Sequence, residues 1–290
     1  LAFMITETHK RGMEFHAWMN PYRAVFNTRS ASIASNHITR RNPGWFLNYG
    51  DKKYFDPGHP RARNNVVEVV KDVVKRYNID AIHFDDYFYP YRIKGKEFPD
   101  NNSYSKWGKG LSKDAWRRSN TDSIIVGLYR AIKQVNPLCQ FGISPFGVWR
   151  NIDKDPAGSN TKAGQTNYDD LYADILLWLR KGWMDYITPQ VYWEIGHPAA
   201  AFDTLLDWWS KNTHGINCYI GIGIYRAGSN PAWKDRSQLP RQIELIRSTP
   251  HMQGMAFYSS KVFEKNPNGW SDSLRLTYFK EWVPAPKIIK

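Results

Sequence analysis

A chain of 290 residues is long enough for one large domain with a sizeable core, and no apolar run approaches the roughly 20 residues that a membrane-crossing helix needs. Its 40 Lys and Arg against 27 Asp and Glu give a net charge of +13, which suits either an anionic partner or a solvated basic surface. The basic residues are scattered singly rather than in blocks, so nucleic acid is not expected as the partner, and 13 Trp with 17 Tyr leave aromatic faces for a sugar-binding groove.

In chain order, residues 1–11 are predicted to be helical with Leu1, Met4 and Ile5 inward, and a strand follows at 14–20. Helix 62–77 is the clearest element. Val66, Val69, Val70, Val73, Val74 and Tyr77 fall at i, i+3, i+4, i+7, i+8 and i+11, a single apolar stripe. Further strands are predicted at 79–87, 140–145, 185–193, 216–225 and 254–259, with helices at 114–135, 170–181, 199–213, 237–248 and 270–281. Two long connections, 21–61 and 90–113, both leave the carboxyl ends of strands. Cys139 and Cys218 fall at or within strands and form neither a metal spacing nor a disulfide framework.

Regular strand–helix alternation implies a parallel sheet, open or closed into a barrel. No Gly-rich phosphate loop follows a strand, which disfavours a nucleotide-binding open sheet. The predicted fold is therefore a (β/α)8 TIM barrel. Six strands are visible where eight are needed, which places the first two upstream of Leu1. Residues 1–282 are assigned to the barrel and 283–290 to the start of a C-terminal linker.

Alternation along each strand separates residues that pack under helices from those that face the barrel axis. In 79–87 the apolar phase is Ile82 and Phe84, while Ala81, His83 and Asp85 form the other. The same split sets His16, Trp18 and Asn20 against Phe15, Ala17 and Met19. It sets Thr188, Gln190 and Tyr192, with Glu194 next in phase, against Ile187, Pro189 and Val191. Polar side chains converging at strand ends are what a barrel active site requires.

Cleavage of a glycosidic bond needs a carboxyl group to protonate the leaving oxygen and a second to act as nucleophile or base. Asp85 is the first candidate, as nucleophile or base. Glu194 is the second, as a general acid with its pKa raised by burial or by its partner's charge. Asp86 is adjacent but in the opposite phase. His16 and His83 lack the companions of a metal site and are read as hydrogen-bonding groups. Trp18, Tyr87, Tyr89, Trp149, Trp193 and Tyr225 are candidate stacking platforms. Ser144, Tyr192 and Tyr258 stand with them at strand ends. Arg23 and Arg150, each just beyond a strand, are candidates for holding a substrate carboxylate.

Four ordered motifs, HKRGMEFHAWMNPYR (9–23), DAIHFDDYFYP (80–90), GISPFGVWRN (142–151) and DYITPQVYWE (185–194), resemble the bacterial glycosyl-hydrolase-like 10 family. The resemblance runs over nearly the whole chain. It implies a (β/α)8 barrel and an exported or lipid-anchored protein of the cell envelope, in a family that includes a glycosidase of peptide-free peptidoglycan glycans. It also implies that the motif acids fall on Asp85, Asp86 and Glu194, with His16, Asn20, Arg23 and Gln190 around them. The expected function is hydrolysis of a cell-wall polysaccharide, an anionic substrate that suits the +13 charge, with no cofactor and no metal. The rivals are a hydrolase of another envelope or dietary glycan, a non-catalytic glycan-binding barrel, and a metal-dependent deacetylase.

Overall fold

The computed structural model describes residues 1–30, 32–281 and 283. Its strands are β1 (His16–Met19), β2 (Arg23–Val25), β3 (Phe46–Tyr49), β4 (Lys52–Phe55), β5 (Ala81–Phe84), β6 (Gln140–Ile143), β7 (Tyr186–Ile187), β8 (Asn217–Ile222) and β9 (Gly254–Phe257). Six of them form one curled sheet in the order β1-β5-β6-β7-β8-β9. Every neighbouring pair in that sheet is parallel. The helices Pro60–Arg76, Lys113–Val135, Ile175–Arg180, Phe202–Lys211 and Gln238–Ser248 connect the strands in turn. This is the β/α order of a (β/α)8 barrel. The two further strands expected before Leu1, and the linker expected at 283–290 apart from Val283, lie outside the described residues.

One apolar layer between sheet and helices makes the core. Ile82, Phe84, Phe141, Ile143, Ile187, Ile220 and Ile222 point outward from the sheet and are fully buried. The helices meet them with Val66, Val70, Ile125, Leu128, Trp178, Trp209 and Ile243, all in the same cluster. Two acids secure the amino ends of the strands. Asp80 accepts from the Phe15 backbone N–H at 2.6 Å and bonds His9 Nε2 at 2.8 Å. Asp185 accepts from the Phe141 N–H at 2.7 Å and pairs with Lys133 at 2.7 Å.

The axial face is polar near those amino ends. The Tyr186 hydroxyl bonds His16 Nδ1 and His83 Nδ1, each at 2.8 Å. Gly142 makes the room. A Cβ there would lie 1.9 Å from Cζ of Tyr186, so a side chain on this strand residue would displace the ring.

Several sequence expectations change. In the first helix, Ala2–His9, Ile5 is buried, whereas Leu1 and Met4 are exposed. Val69 likewise faces solvent at the edge of its helix's stripe. Segment 21–61 is no loop: it holds an antiparallel sheet in the order β2-β4-β3. Its Tyr49 and Tyr54 build a small second core with Tyr89, Phe98 and Tyr172. The short helix Asn101–Trp107 occupies the other long connection. Finally, the strand expected over 185–193 pairs regularly at Tyr186–Ile187, and Gln190 resumes with single bridges to Phe146 and Gly221. Pro189 has no N–H to give to the ladder, which accounts for the gap.

Candidate active site

The carboxyl ends of the six parallel strands open into a cleft of about 780 Å³. Asp85 and Asp86 lie at its floor, directly after β5. Both are buried, and among the described residues they are the acids that line the cleft. They are held differently. Asp86 accepts from the Tyr91 hydroxyl, and the Gln190 side chain also bonds it. Asp85 takes one weak bond, from the Tyr87 backbone N–H at 3.2 Å.

Electrostatics follow from that difference. Burial, and then the charge of Asp86, push the Asp85 carboxyl up to about 7, against the pull of the Tyr87 N–H and the Arg23 guanidinium. Burial also raises Asp86, but the donors Tyr91 and Gln190 favour its charged form. A carboxyl that titrates near neutrality can carry a proton to a leaving group at physiological pH.

Aromatic side chains form the walls. Tyr192 and Tyr258 stack with ring centroids 5.9 Å apart, and Tyr225 stands edge-on to both at 5.8 and 6.0 Å. Tyr225, Tyr258 and Trp18 are exposed, so their faces are open to a ligand. Phe146 sits between Trp193 and Tyr91, edge-on to each. Across the floor, Gln190 Nε2 donates to the Ser144 carbonyl at 2.9 Å, and Ser144 Oγ donates to the Thr188 carbonyl at 2.8 Å. These bonds tie the ends of β6 and β7 beneath the cleft.

The cleft thus gathers Asp85, Asp86, Trp18, Arg23, His83, Tyr87, Ser144, Gln190, Tyr192, Trp193, Tyr225 and Tyr258 from the residues expected there. Asn20 stands just behind it, where its Oδ1 accepts from the Arg23 N–H at 2.9 Å and shapes the turn that delivers Arg23. His83 is depressed to about 4 by burial and then by His16, so its ring is neutral near pH 7.

Five expected site residues lie elsewhere. His16 belongs to the amino-terminal end of the axis, where it bonds Tyr186 and, through Nε2, Glu14 at 2.9 Å. Tyr89 is buried in the small second core, its hydroxyl accepting from Asn120. Trp149 is a core residue stacked on Trp208 at 6.2 Å. Arg150 is occupied by Asp169 and Asp155, at 2.9 and 3.1 Å. Glu194 is buried beside the cleft rather than on its lining. Its two oxygens accept from Asn230 Nδ2 at 3.1 Å and Trp233 Nε1 at 2.8 Å.

The environment of Glu194 also reverses the pKa expected for it. Burial opposes its ionisation, but its own backbone N–H, Trp233, His197 and Asn230 together outweigh burial and hold the carboxyl below its usual value. A carboxylate so held is a poor proton donor.

Sequence reading missed Tyr91, Phe146 and Arg226, which also line the cleft. A signal for Arg226 existed. It stands just past the predicted end of a strand, as do Arg23 and Arg150, which drew attention for that reason.

Comparison with known proteins agrees with this fold. A family model described as glycosyl hydrolase-like 10 matches residues 1–237. The chain is 47% identical over 295 residues to the glycosyl hydrolase YngK of Bacillus subtilis (strain 168), covering 99% of this chain and 58% of that protein. It is 38% identical over 287 residues to the glycosyl hydrolase DigH of Escherichia coli (strain K12), covering 91% of this chain and 64% of that protein. The chain therefore spans less than two thirds of the length of these relatives. Among solved structures, a chitinase from Rhizomucor miehei superposes with a TM-score of 0.51 at 13% identity, over 92% of this chain and 83% of that one. At such low identity the likeness concerns the fold.

Proposed function

Since the chain belongs to the glycosyl hydrolase-like 10 family, we propose that its cleft hydrolyses a bacterial cell-wall polysaccharide, namely the glycan strands of peptidoglycan freed of their peptides. The observation that carries this reading is the Asp85 carboxyl, pushed up to about 7 at the floor of an aromatic-walled cleft. The walls supply stacking faces for sugar rings, and the floor supplies the proton.

The roles of the acids differ from those the sequence suggested. Asp85, protonated near neutrality, donates its proton to the glycosidic oxygen as the bond to the anomeric carbon breaks. Asp86, as the carboxylate that Tyr91 and Gln190 favour against the opposing effect of burial, stabilises the positive charge that develops on the sugar. Asp85, now a carboxylate, takes the proton from the water that attacks the anomeric carbon, which restores the starting state. Glu194 positions the segment after β7 by anchoring Asn230 and Trp233, and has no part in proton transfer. The enzyme acts in the cell envelope.

Incubating the full-length protein with amidase-stripped glycan strands, and reading the products by mass spectrometry, tests this reading. Short oligosaccharides from the parent and from Glu194→Gln, with intact strands from Asp85→Asn, are the expected result. Intact strands from the parent would remove this substrate. Binding without cleavage would make the cleft a glycan-binding site.

A further inference from the structure

The two cations of the cleft are unlike the other partly buried arginines of this protein. Arg117 pairs with Asp100 at 2.6 Å, Arg150 with Asp169 at 2.9 Å, and Arg63 donates to Asn120 and to the Pro57 carbonyl at 2.9 and 2.6 Å. Arg23 and Arg226 line the cleft, and neither makes an ion pair or a side-chain hydrogen bond among the described residues. The Arg23 guanidinium lies against the rings of Phe26 and Tyr87, each 5.1 Å away, so its plane is held while its N–H groups stay unspent. Arg226 presents a more specific feature. Its Nε is buried with no hydrogen-bond partner. A guanidinium held there without any protein acceptor costs free energy that an acceptor bound at its terminal nitrogens recovers in part.

Nearby acids do not fill this need. Asp86 is committed to Tyr91 and Gln190. Asp85 feels the charge of Arg23, yet the two form no ion pair. The open donors therefore await an acceptor from outside the protein. With its Nε covered, Arg226 presents its two terminal nitrogens to the cleft, a forked pair of donors that a carboxylate accepts bidentately. Hydroxyl and acetamido groups match that fork poorly.

We propose that Arg226 binds a carboxylate substituent of the glycan through its terminal nitrogens, with Arg23 as a second cation holding an acidic sugar in the cleft. The proposal rests on the glycan-hydrolase reading of the same cleft and adds a specificity rule to it. The substrate is selected for a carboxylate-bearing sugar, and Arg226 reads it. Neutral amino-sugar polymers, with the same backbone hydroxyls and acetamido groups, enter the cleft without this bond.

The test compares peptide-free glycan strands with the same strands after their lactyl carboxylates have been reduced to alcohols. Kinetics and calorimetric binding are measured for the full-length protein and for Arg226→Gln, Arg226→Lys and Arg23→Gln, with thermal melting to check folding. The parent should favour acidic strands in kcat/KM by roughly 10- to 100-fold, the value of a charge-assisted pair. Arg226→Gln should bring that ratio close to one, mainly through KM. Arg226→Lys should restore part of it, because an ammonium supplies charge without the fork.

Equal use of acidic and reduced strands by the parent would overturn the proposal. So would an Arg226→Gln variant that loses both activities in proportion, which marks a structural role. Should the parent cleave neither polymer, calorimetry still decides. Carboxylate-dependent binding that disappears in Arg226→Gln would uphold the recognition rule while the hydrolase reading falls. Binding that ignores the carboxylate would end both.

Discussion

The two ends of the parallel sheet use similar residue types to opposite effect. At the amino end, His16, Tyr186, Asp80 and Asp185 bond one another or neighbouring groups at 2.6–2.8 Å, and the Tyr186 hydroxyl also ties them to His83 on the cleft lining. At the carboxyl end, Asp85 has one weak donor, Arg226 has an unpartnered Nε, and the rings of Trp18, Tyr225 and Tyr258 face open space. A polar group satisfied within the protein stabilises the fold, whereas one left open is poised for a ligand or a proton. Glu194, although its sequence position is that of the carboxyl end, belongs with the satisfied groups. Residue type and strand position alone do not identify the chemistry. The fate of the hydrogen bonds does.

Breaking this contrast at its most reactive point should have the largest effect. Asp85→Asn is expected to lower kcat by about 10²- to 10⁴-fold, the usual contribution of a positioned proton donor. In the parent, kcat/KM should fall about tenfold per pH unit once the pH exceeds the Asp85 value near 7. A profile without that limb would assign the proton to another group.

The satisfied end is tested by Gly142→Ala. The added methyl meets the Tyr186 ring at 1.9 Å, so the hydroxyl that joins His16 and His83 must move. A loss of about 3 kcal/mol in denaturant unfolding is expected, in the overpacking range. Unchanged stability would mean that Tyr186 is free to relocate.

A smaller effect joins stability to catalysis. Asp85 has a folded pKa above its unfolded value, so its contribution to stability is intact at low pH and is lost as the pH rises through about 7. Asp85→Asn removes that loss. Compared with the parent, the variant should be more stable by about 2 kcal/mol at pH 8 and no more stable at pH 3.5. Equal melting curves at both pH values would show that the site tolerates the charge.

The smallest change sharpens the comparison. Glu194→Ala leaves Trp233 Nε1 and Asn230 Nδ2 without their acceptor, and should cost about 1–2 kcal/mol of stability. Glu194→Gln should keep most of kcat. A collapse of activity in a folded Glu194→Gln variant would return this residue to the chemistry.

Much of the fold was legible because it rests on periodicity. The stripe of Val66, Val70 and Val74 and the outward phase of Ile82 and Phe84 need no tertiary information, since burying an apolar face fixes which side turns inward. The antiparallel sheet β2-β4-β3 escaped notice because its strands have three or four residues each, too few for alternation to show. At the site, the same phase rule placed Asp85 and His83 on the axial face, and Trp18, Gln190, Tyr192 and Tyr258 also reached the cleft. It failed for His16, because a strand has two ends and phase does not tell one from the other.

The sequence by itself determined the alternating β/α order, the outward apolar layer and the place of Asp85 at a strand's end, since all three follow from local spacing. Tertiary structure alone decided which acids hold protons and which cations stay open. Asp85 and Glu194 are both buried carboxyls, yet one rises to about 7 and the other falls below its usual value. Arg150 and Arg226 both stand just past strands, yet one is paired with Asp169 and Asp155 and the other keeps a buried Nε unmet. Those outcomes depend on Trp233, Asn230 and Asp169, residues 36–39 and 19 positions away in the chain, which only folding brings within hydrogen-bonding distance.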